Sequence, residues 1–273
     1  MTFRILLFVG ILLLAFANCQ TETATEKEAK QETRELIGAA QADNKVKLYD
    51  GIIDHRGFGA GGKDDIEVQL ITEEKKVSGF YINRVQGVLY PIKGVKRDDG
   101  TLELSAYDDT GGTIELFIGH REVETSESQN NTITGKWFNK QEDAGEEQST
   151  FTFTEKEMDI AQEDLKSIKG TYEYTVQGYS SFIIIEPIGN KTVKLQSVVT
   201  YGSCTGEING KAYIYNNKLI NYFGEDNCFL KLEIGENTIN ASEISCSFYH
   251  GFSCIFDGTY RKVSDELKWI MDS

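Results

Sequence analysis

The sequence is poor in proline: only Pro91 and Pro187 occur among 273 residues, so its turns must be made by its 26 glycines and by Asp and Asn. Histidine is scarce, with three in the chain. His55, His120 and His250 stand far apart, none with a cysteine or carboxylate at metal-ligand spacing, and each reads as a turn or strand-end residue. No metal site or cofactor is therefore expected. There is no G-x-S-x-G elbow and no G-x-x-x-x-G-K-[ST] phosphate loop. The Gly-x-Gly within residues 57–62 is not followed by a helical pattern, so it is a β–β loop rather than a dinucleotide fingerprint. Asp64-Asp65 and Asp108-Asp109 lack EF-hand spacing and fit tight turns. A glycosidase would need two opposed carboxylates, and 43 acidic residues offer no pattern that singles out a pair. Positive charge is also short: 28 Lys and Arg against those 43 leave a formal net charge of −15, which repels nucleic acid and anionic lipid headgroups.

Long apolar runs are absent but for residues 5–16, which follow Arg4. That run is shorter than the ~20 residues a membrane-spanning helix needs and suits a secretory signal. Ala15-Phe16-Ala17 is one cleavage site. Alternatively, Cys19 becomes the lipidated first residue and residues 1–18 are the signal peptide. Removing 1–18 takes away only Arg4 and leaves a charge of −16. Of five cysteines, four lie between 204 and 254 where they can pair, and a lipid anchor explains the leftover Cys19. Residues 19–45 are rich in Thr, Glu, Lys and Gln with no aromatic, the composition of an acidic, disordered tether. This layout resembles that of Gram-negative bacterial surface lipoproteins. The resemblance implies an exported, outer-membrane or cell-surface protein held by its lipid alone; a periplasmic or secreted soluble protein is the alternative.

The remainder is β. Fifteen Phe and thirteen Tyr, short alternating runs and frequent glycine turns give eight strands between 46 and 154. Residues 66–71 alternate with period two, so Ile66, Val68 and Leu70 share a face. Pro91 suggests an edge or strand end. Thr154 and Glu157 are spaced as a capping box, and Met158, Ala161, Leu165 and Ile168 share one helical face, so 155–169 is predicted as a helix that connects two β-domains or plugs a barrel. A second β-domain follows over 170–263, and Ser264 is expected to cap a short helix over 264–273. The fold class is all-β: two antiparallel barrels or sandwiches joined by a short helix.

The ending Gly251-Phe-Ser-Cys254-Ile-Phe256-Asp-Gly258-Thr-Tyr260 resembles that of uncharacterised bacterial envelope proteins with calycin-like barrels, some near lysozyme-inhibitor architectures. The resemblance implies a location and a fold.

Cys246 and Cys254 lie four residues either side of His250, so a hairpin turning there would place them opposite each other. Cys204 and Cys228 are centred on the Asn216-Asn217 turn. The predicted disulfides are therefore Cys204–Cys228 and Cys246–Cys254. Phe248, Tyr249, His250 and Phe252 crowd the tip of the second hairpin and form the candidate binding site. The resulting functional expectation is a non-enzymatic envelope lipoprotein presenting a β-domain surface, inhibitor-like, to a protein or glycan. A calycin-like carrier of a small apolar ligand is the alternative, and a glycan-active hydrolase the third reading. A carrier should hold a closed apolar cavity of several hundred Å³. A docking module should have filled interiors and an exposed aromatic patch.

Overall fold

A computed structural model describes residues 45–55, 62–121, 131–140, 149–158 and 160–269. Residues 1–44, on which the expected signal peptide, Cys19 and all of the expected tether but Lys45 fall, lie outside them. The described residues form two closed, eight-stranded antiparallel barrels with a short helix between them, compatible with a calycin-like fold. No helix among them is long and apolar enough to cross a membrane.

The first barrel is an up-and-down meander: β1 (Val46–Asp54), β2 (Lys63–Glu73), β3 (Lys76–Asn83), β4 (Leu89–Lys96), β5 (Thr101–Tyr107), β6 (Thr113–Arg121), β7 (Thr132–Asn139) and β8 (Ser149–Lys156). β8 pairs back on β1, from Leu48↔Lys156 to Asp54↔Thr150, so no edge remains. Pro91 escapes the penalty of a missing N–H because the β4–β5 ladder begins one residue later, at Ile92↔Ala106. Strand alternation sends Ile66, Val68, Leu70, Tyr81, Phe117 and Trp137 inward. At the waist Phe117, Phe151 and Phe153 pack with ring centroids 4.5–5.7 Å apart. Two inward-facing glycines make room for them. A Cβ on Gly119 would lie 2.6 Å from Phe151, and one on Gly51 3.0 Å from Phe153.

The second barrel repeats the meander with β9 (Gly170–Val176), β10 (Tyr179–Pro187), β11 (Thr192–Tyr201), β12 (Cys204–Asn216), β13 (Leu219–Phe223), β14 (Phe229–Ile234), β15 (Thr238–Ile244) and β16 (Gly258–Ser264). β16 closes on β9 through Arg261↔Glu173 and Lys262↔Tyr172. Its interior is filled by aliphatic side chains around fully buried Tyr260, whose hydroxyl meets the Ser181 hydroxyl at 2.7 Å and donates to the Phe256 carbonyl at 2.8 Å. Helix α1 (Gln162–Ile168) plugs this barrel, burying Leu165 and Ile168 in the same core.

Alternation also gives each barrel an apolar outer stripe. Leu48 and Phe80 of the first meet Tyr215, Leu219 and Phe229 of the second, with the Phe80 and Tyr215 rings edge to face at 5.0 Å. Gln69 is fully buried here and donates from Nε2 to the Ile214 carbonyl at 2.9 Å. Lys93 reaches the Gly224 carbonyl at 2.9 Å, and Tyr215 donates to Glu67. The barrels thus share a packed face, and α1 is one link among several.

Three local expectations fail. Thr154 belongs to β8 rather than to a capping box, because the ladder partner Asp50 claims it; α1 begins only after Ala161, without a side-chain cap. Residues 265–269 are not helical: Ser264 ends β16, and its Oγ accepts from Glu266 N at 2.9 Å in a local turn. Residues 270–273 lie outside the described residues.

The third correction concerns the cysteines. The disulfides are Cys204–Cys254 and Cys228–Cys246, with Cα separations of 6.0 and 4.3 Å, not Cys204–Cys228 and Cys246–Cys254. Residues 246–254 do not form a hairpin. The segment folds across the barrel end and bonds to β12, through the Gly206↔His250 bridge and Glu207 N donating to the Tyr249 carbonyl at 3.0 Å. β12 itself leaves β13 after a short ladder of 212–216 and pairs instead with β11 down to Tyr201↔Cys204, so residue 204 never faces 228. Register decides the other bond. Phe229↔Ile244 in the β14–β15 ladder brings the preceding Cys228 beside the following Cys246. Three neighbouring hairpin tips at one barrel end are thereby stapled together.

Candidate functional site

The four aromatic residues singled out from the sequence divide into two pairs. Phe248 and Phe252 are exposed, at 68% and 106%. Tyr249 and His250 instead hold the loop. The Tyr249 hydroxyl accepts from Glu225 N at 2.7 Å and packs edge to face on Tyr222. His250 Nδ1 meets the Gly251 carbonyl at 2.8 Å and Nε2 the Glu243 carboxylate at 2.7 Å, while its ring abuts Phe256. The other Glu243 oxygen accepts from Phe256 N at 2.7 Å, so this carboxylate ties both sides of the loop.

The larger feature is in the first barrel, above the aromatic waist. At the end bearing the β2–β3 and β4–β5 turns, the barrel opens into a cavity of about 900 Å³. Its floor is Tyr49, Leu70, Leu102 and Ile133, side chains that the inward parity of β1, β2, β5 and β7 delivers. Lys45, Lys47, Lys96 and Arg121 line its rim with His120; among the described residues Asp99 is the one carboxylate in the lining, while Glu73 pairs with Lys45 and Glu155 with Lys47 beside it. In a chain of net charge −15 this is a local inversion of sign. Burial holds the Tyr49 phenol above its ordinary 10, against the pull of the neighbouring Arg121. Lys47 pairs with Glu155, which also lies 3.9 Å from Arg121, so a half-buried carboxylate orients two of the rim cations. His120 Nδ1 lies 3.3 Å from the Thr101 hydroxyl. Asp99 is bound by Thr101 N at 2.9 Å, a hydrogen bond that lowers its carboxyl below the ordinary 3.8.

Chemically, this arrangement offers an apolar shaft and a cationic collar. It can take an elongated apolar body and neutralise an acidic head. It differs from the closed apolar chamber that a carrier of purely apolar ligands would have. A second, smaller cavity of about 400 Å³ opens at the opposite end of the same barrel. Among the described residues no three His, Cys, Asp or Glu side chains come together as a metal site.

Sequence reasoning passed over the rim. Lys47 and Tyr49 lie two apart on β1 and so share a face, a signal that was readable. That Lys96, Arg121 and Lys47 come from separate hairpins and converge on one mouth was not readable without barrel closure. Comparison with protein-family models, curated proteins and solved structures returned no match.

Proposed function

We propose that the protein is a non-enzymatic binding protein whose first barrel carries a small amphipathic acid, with the apolar part in the shaft and the anionic head at the basic rim. The observation that carries this reading is the contrast between the two barrels. The second is filled and plugged by Leu165 and Ile168, whereas the first keeps a cavity of about 900 Å³ with an apolar floor and four rim cations. Cavities of several hundred Å³ with an apolar lining and a few convergent polar groups are the usual form of a small-molecule site. Calorimetry with decanoate and with decanol tests it. Decanoate should bind at least about tenfold more tightly, since a hydrogen bond to a charged group contributes ~1.5–3 kcal/mol. Lys47→Met with Arg121→Met should abolish the difference. Equal binding of acid and alcohol, or none of either, would refute the reading.

A second reading has its own support. Phe248 and Phe252 stand exposed on a loop fixed by both disulfides, and rigid aromatics contact partners at low entropic cost. They suit docking to an envelope protein or glycan. Loss of a partner from pull-downs with Phe248→Ala and Phe252→Ala, while decanoate still binds, would favour it. The two disulfides fit an oxidising, exported environment. Anchoring by a lipid on Cys19 belongs to the proposal.

A further inference from the structure

The cavity at the opposite end of the first barrel has the inverse chemistry, and the filled waist of Phe117, Phe151 and Phe153 separates it from the basic mouth. Its walls are aromatic. The Tyr81 and Tyr90 rings stack at 4.9 Å, and the Trp137 indole stands edge to face with His55 at 4.8 Å. Its charge is negative: Asp64, Asp108 and Glu115 line it, and no lysine or arginine does among the described residues.

Glu115 is the centre of the arrangement. On β6 it shares the inward face of Phe117, so the strand carries a carboxylate into the barrel. One oxygen, Oε2, accepts from the Tyr81 hydroxyl at 2.7 Å and from Trp137 Nε1 at 3.1 Å. Those two donors fix the carboxylate between the rings of the very residues that wall the pocket. Asp64 is held likewise, Oδ2 lying 3.2 Å from His55 Nε2 and 3.3 Å from Asn83 Nδ2. Asp108 sits at the edge with Oδ1 bound to Thr110 N and Gly112 N, so its charge is also positioned.

We infer that this cavity binds a small organic ammonium, its cationic head held by the Glu115 carboxylate within the walls formed by Tyr81, Tyr90 and Trp137. An aromatic ring attracts a cation through its quadrupole, more strongly where water is excluded, and a fixed carboxylate adds the full charge. An anion would meet three carboxylates and is disfavoured. A neutral molecule would gain the rings but not the charge. The two ends of one barrel therefore select opposite signs, and this inference does not depend on the basic mouth being a binding site.

The test is calorimetric titration of the purified protein with choline and with phenethylammonium, against dimethylbutanol, the uncharged carbon analogue of choline. At least one ammonium should bind saturably, roughly tenfold or more tightly than the alcohol, and saturation with decanoate should leave it unchanged. Glu115→Gln should weaken binding about tenfold or more. Tyr90→Leu, at a half-exposed position less exposed to folding failure, should also weaken it. Failure of both ammonium probes, equal binding of the alcohol, or undiminished affinity in Tyr90→Leu and in folded Glu115→Gln would overturn the inference.

Discussion

By loop entropy alone, the outer disulfide should stabilise the second barrel more than the inner one. Cys204–Cys254 closes 50 residues and Cys228–Cys246 closes 18. In the chain-entropy treatment these loops correspond to about 4.1 and about 3.2 kcal/mol at room temperature. The loops are nested, so with the inner bond in place the outer one constrains a shorter effective chain of roughly thirty residues, and its contribution falls to about 3.7 kcal/mol. By the same nesting the inner bond, with the outer one in place, contributes about 2.8 kcal/mol, so the expected difference between single-bond variants stays ~0.9 kcal/mol, and it can be measured only if packing losses match. They differ in one respect: Cys228, Cys246 and Cys254 are buried, whereas Cys204 is half-buried. Removing the inner pair takes two buried sulfurs out of the core and the outer pair one, which narrows or cancels the gap. The paired variants Cys204→Ala/Cys254→Ala and Cys228→Ala/Cys246→Ala should thus lose similar stability, each ~3–4 kcal/mol, in denaturant titrations that follow barrel-two signals. Non-reducing peptide maps should show 204 linked to 254 and 228 to 246. A variant pair that loses under 1 kcal/mol, or a map linking 246 to 254, would refute the stapling of three hairpin tips.

Burial is the leading influence on Glu115 and raises its carboxyl above the ordinary 4.5, partly offset by Tyr81 and Trp137. A raised folded-state value means the native protein holds that proton more tightly than the unfolded chain. This group therefore destabilises at pH above its raised value, and the penalty disappears as pH falls toward 4.5. Glu115→Gln should accordingly gain stability relative to the parent near neutrality and lose that gain by about pH 4.5, read as melting-temperature differences across pH; a difference independent of pH would contradict the assignment. Asn221 sits fully buried on the outward face of β13, turned toward the first barrel, with neither side-chain atom hydrogen-bonded among the described residues. An unsatisfied buried polar group costs ~1–3 kcal/mol, so Asn221→Leu should stabilise the protein in urea titrations, and a marked loss would show the amide to be satisfied. If Cys19 carries a lipid, Cys19→Ser should move the protein from the membrane fraction to the soluble one; an intact N-terminus at Asn18 by mass spectrometry would exclude it.

Much of this architecture was written in local pattern. Alternation in residues 66–71, the glycine turns, and the helical spacing of Leu165 and Ile168 each depend on neighbours in sequence; 66–71 lies within β2, and Leu165 and Ile168 lie on α1, which starts at Gln162 rather than at residue 155. Strand parity also carried Glu115 and Lys47 to particular faces, although in isolation an inward charge among 43 acidic residues carries no distinguishing mark. What tertiary structure decided was everything that depends on closure and register. The cysteine pairing followed from which ladders β12 keeps and which it abandons, a competition between neighbours that spacing about a turn does not encode. Thr154 joined a strand because β1 offered it a ladder partner, and a short capping motif cannot compete with a continuous sheet. The basic rim and the acidic aromatic pocket exist only because eight hairpin-linked strands close, bringing to each end side chains as far apart in the chain as Lys45 and Ile133, or Ile53 and Asn139. The sequence alone determined that the chain is a pair of inward-alternating β-meanders, since period-two patterning follows from strand geometry itself. The opposite charge at the two ends of one barrel is a property of three-dimensional convergence, and only the fold could supply it.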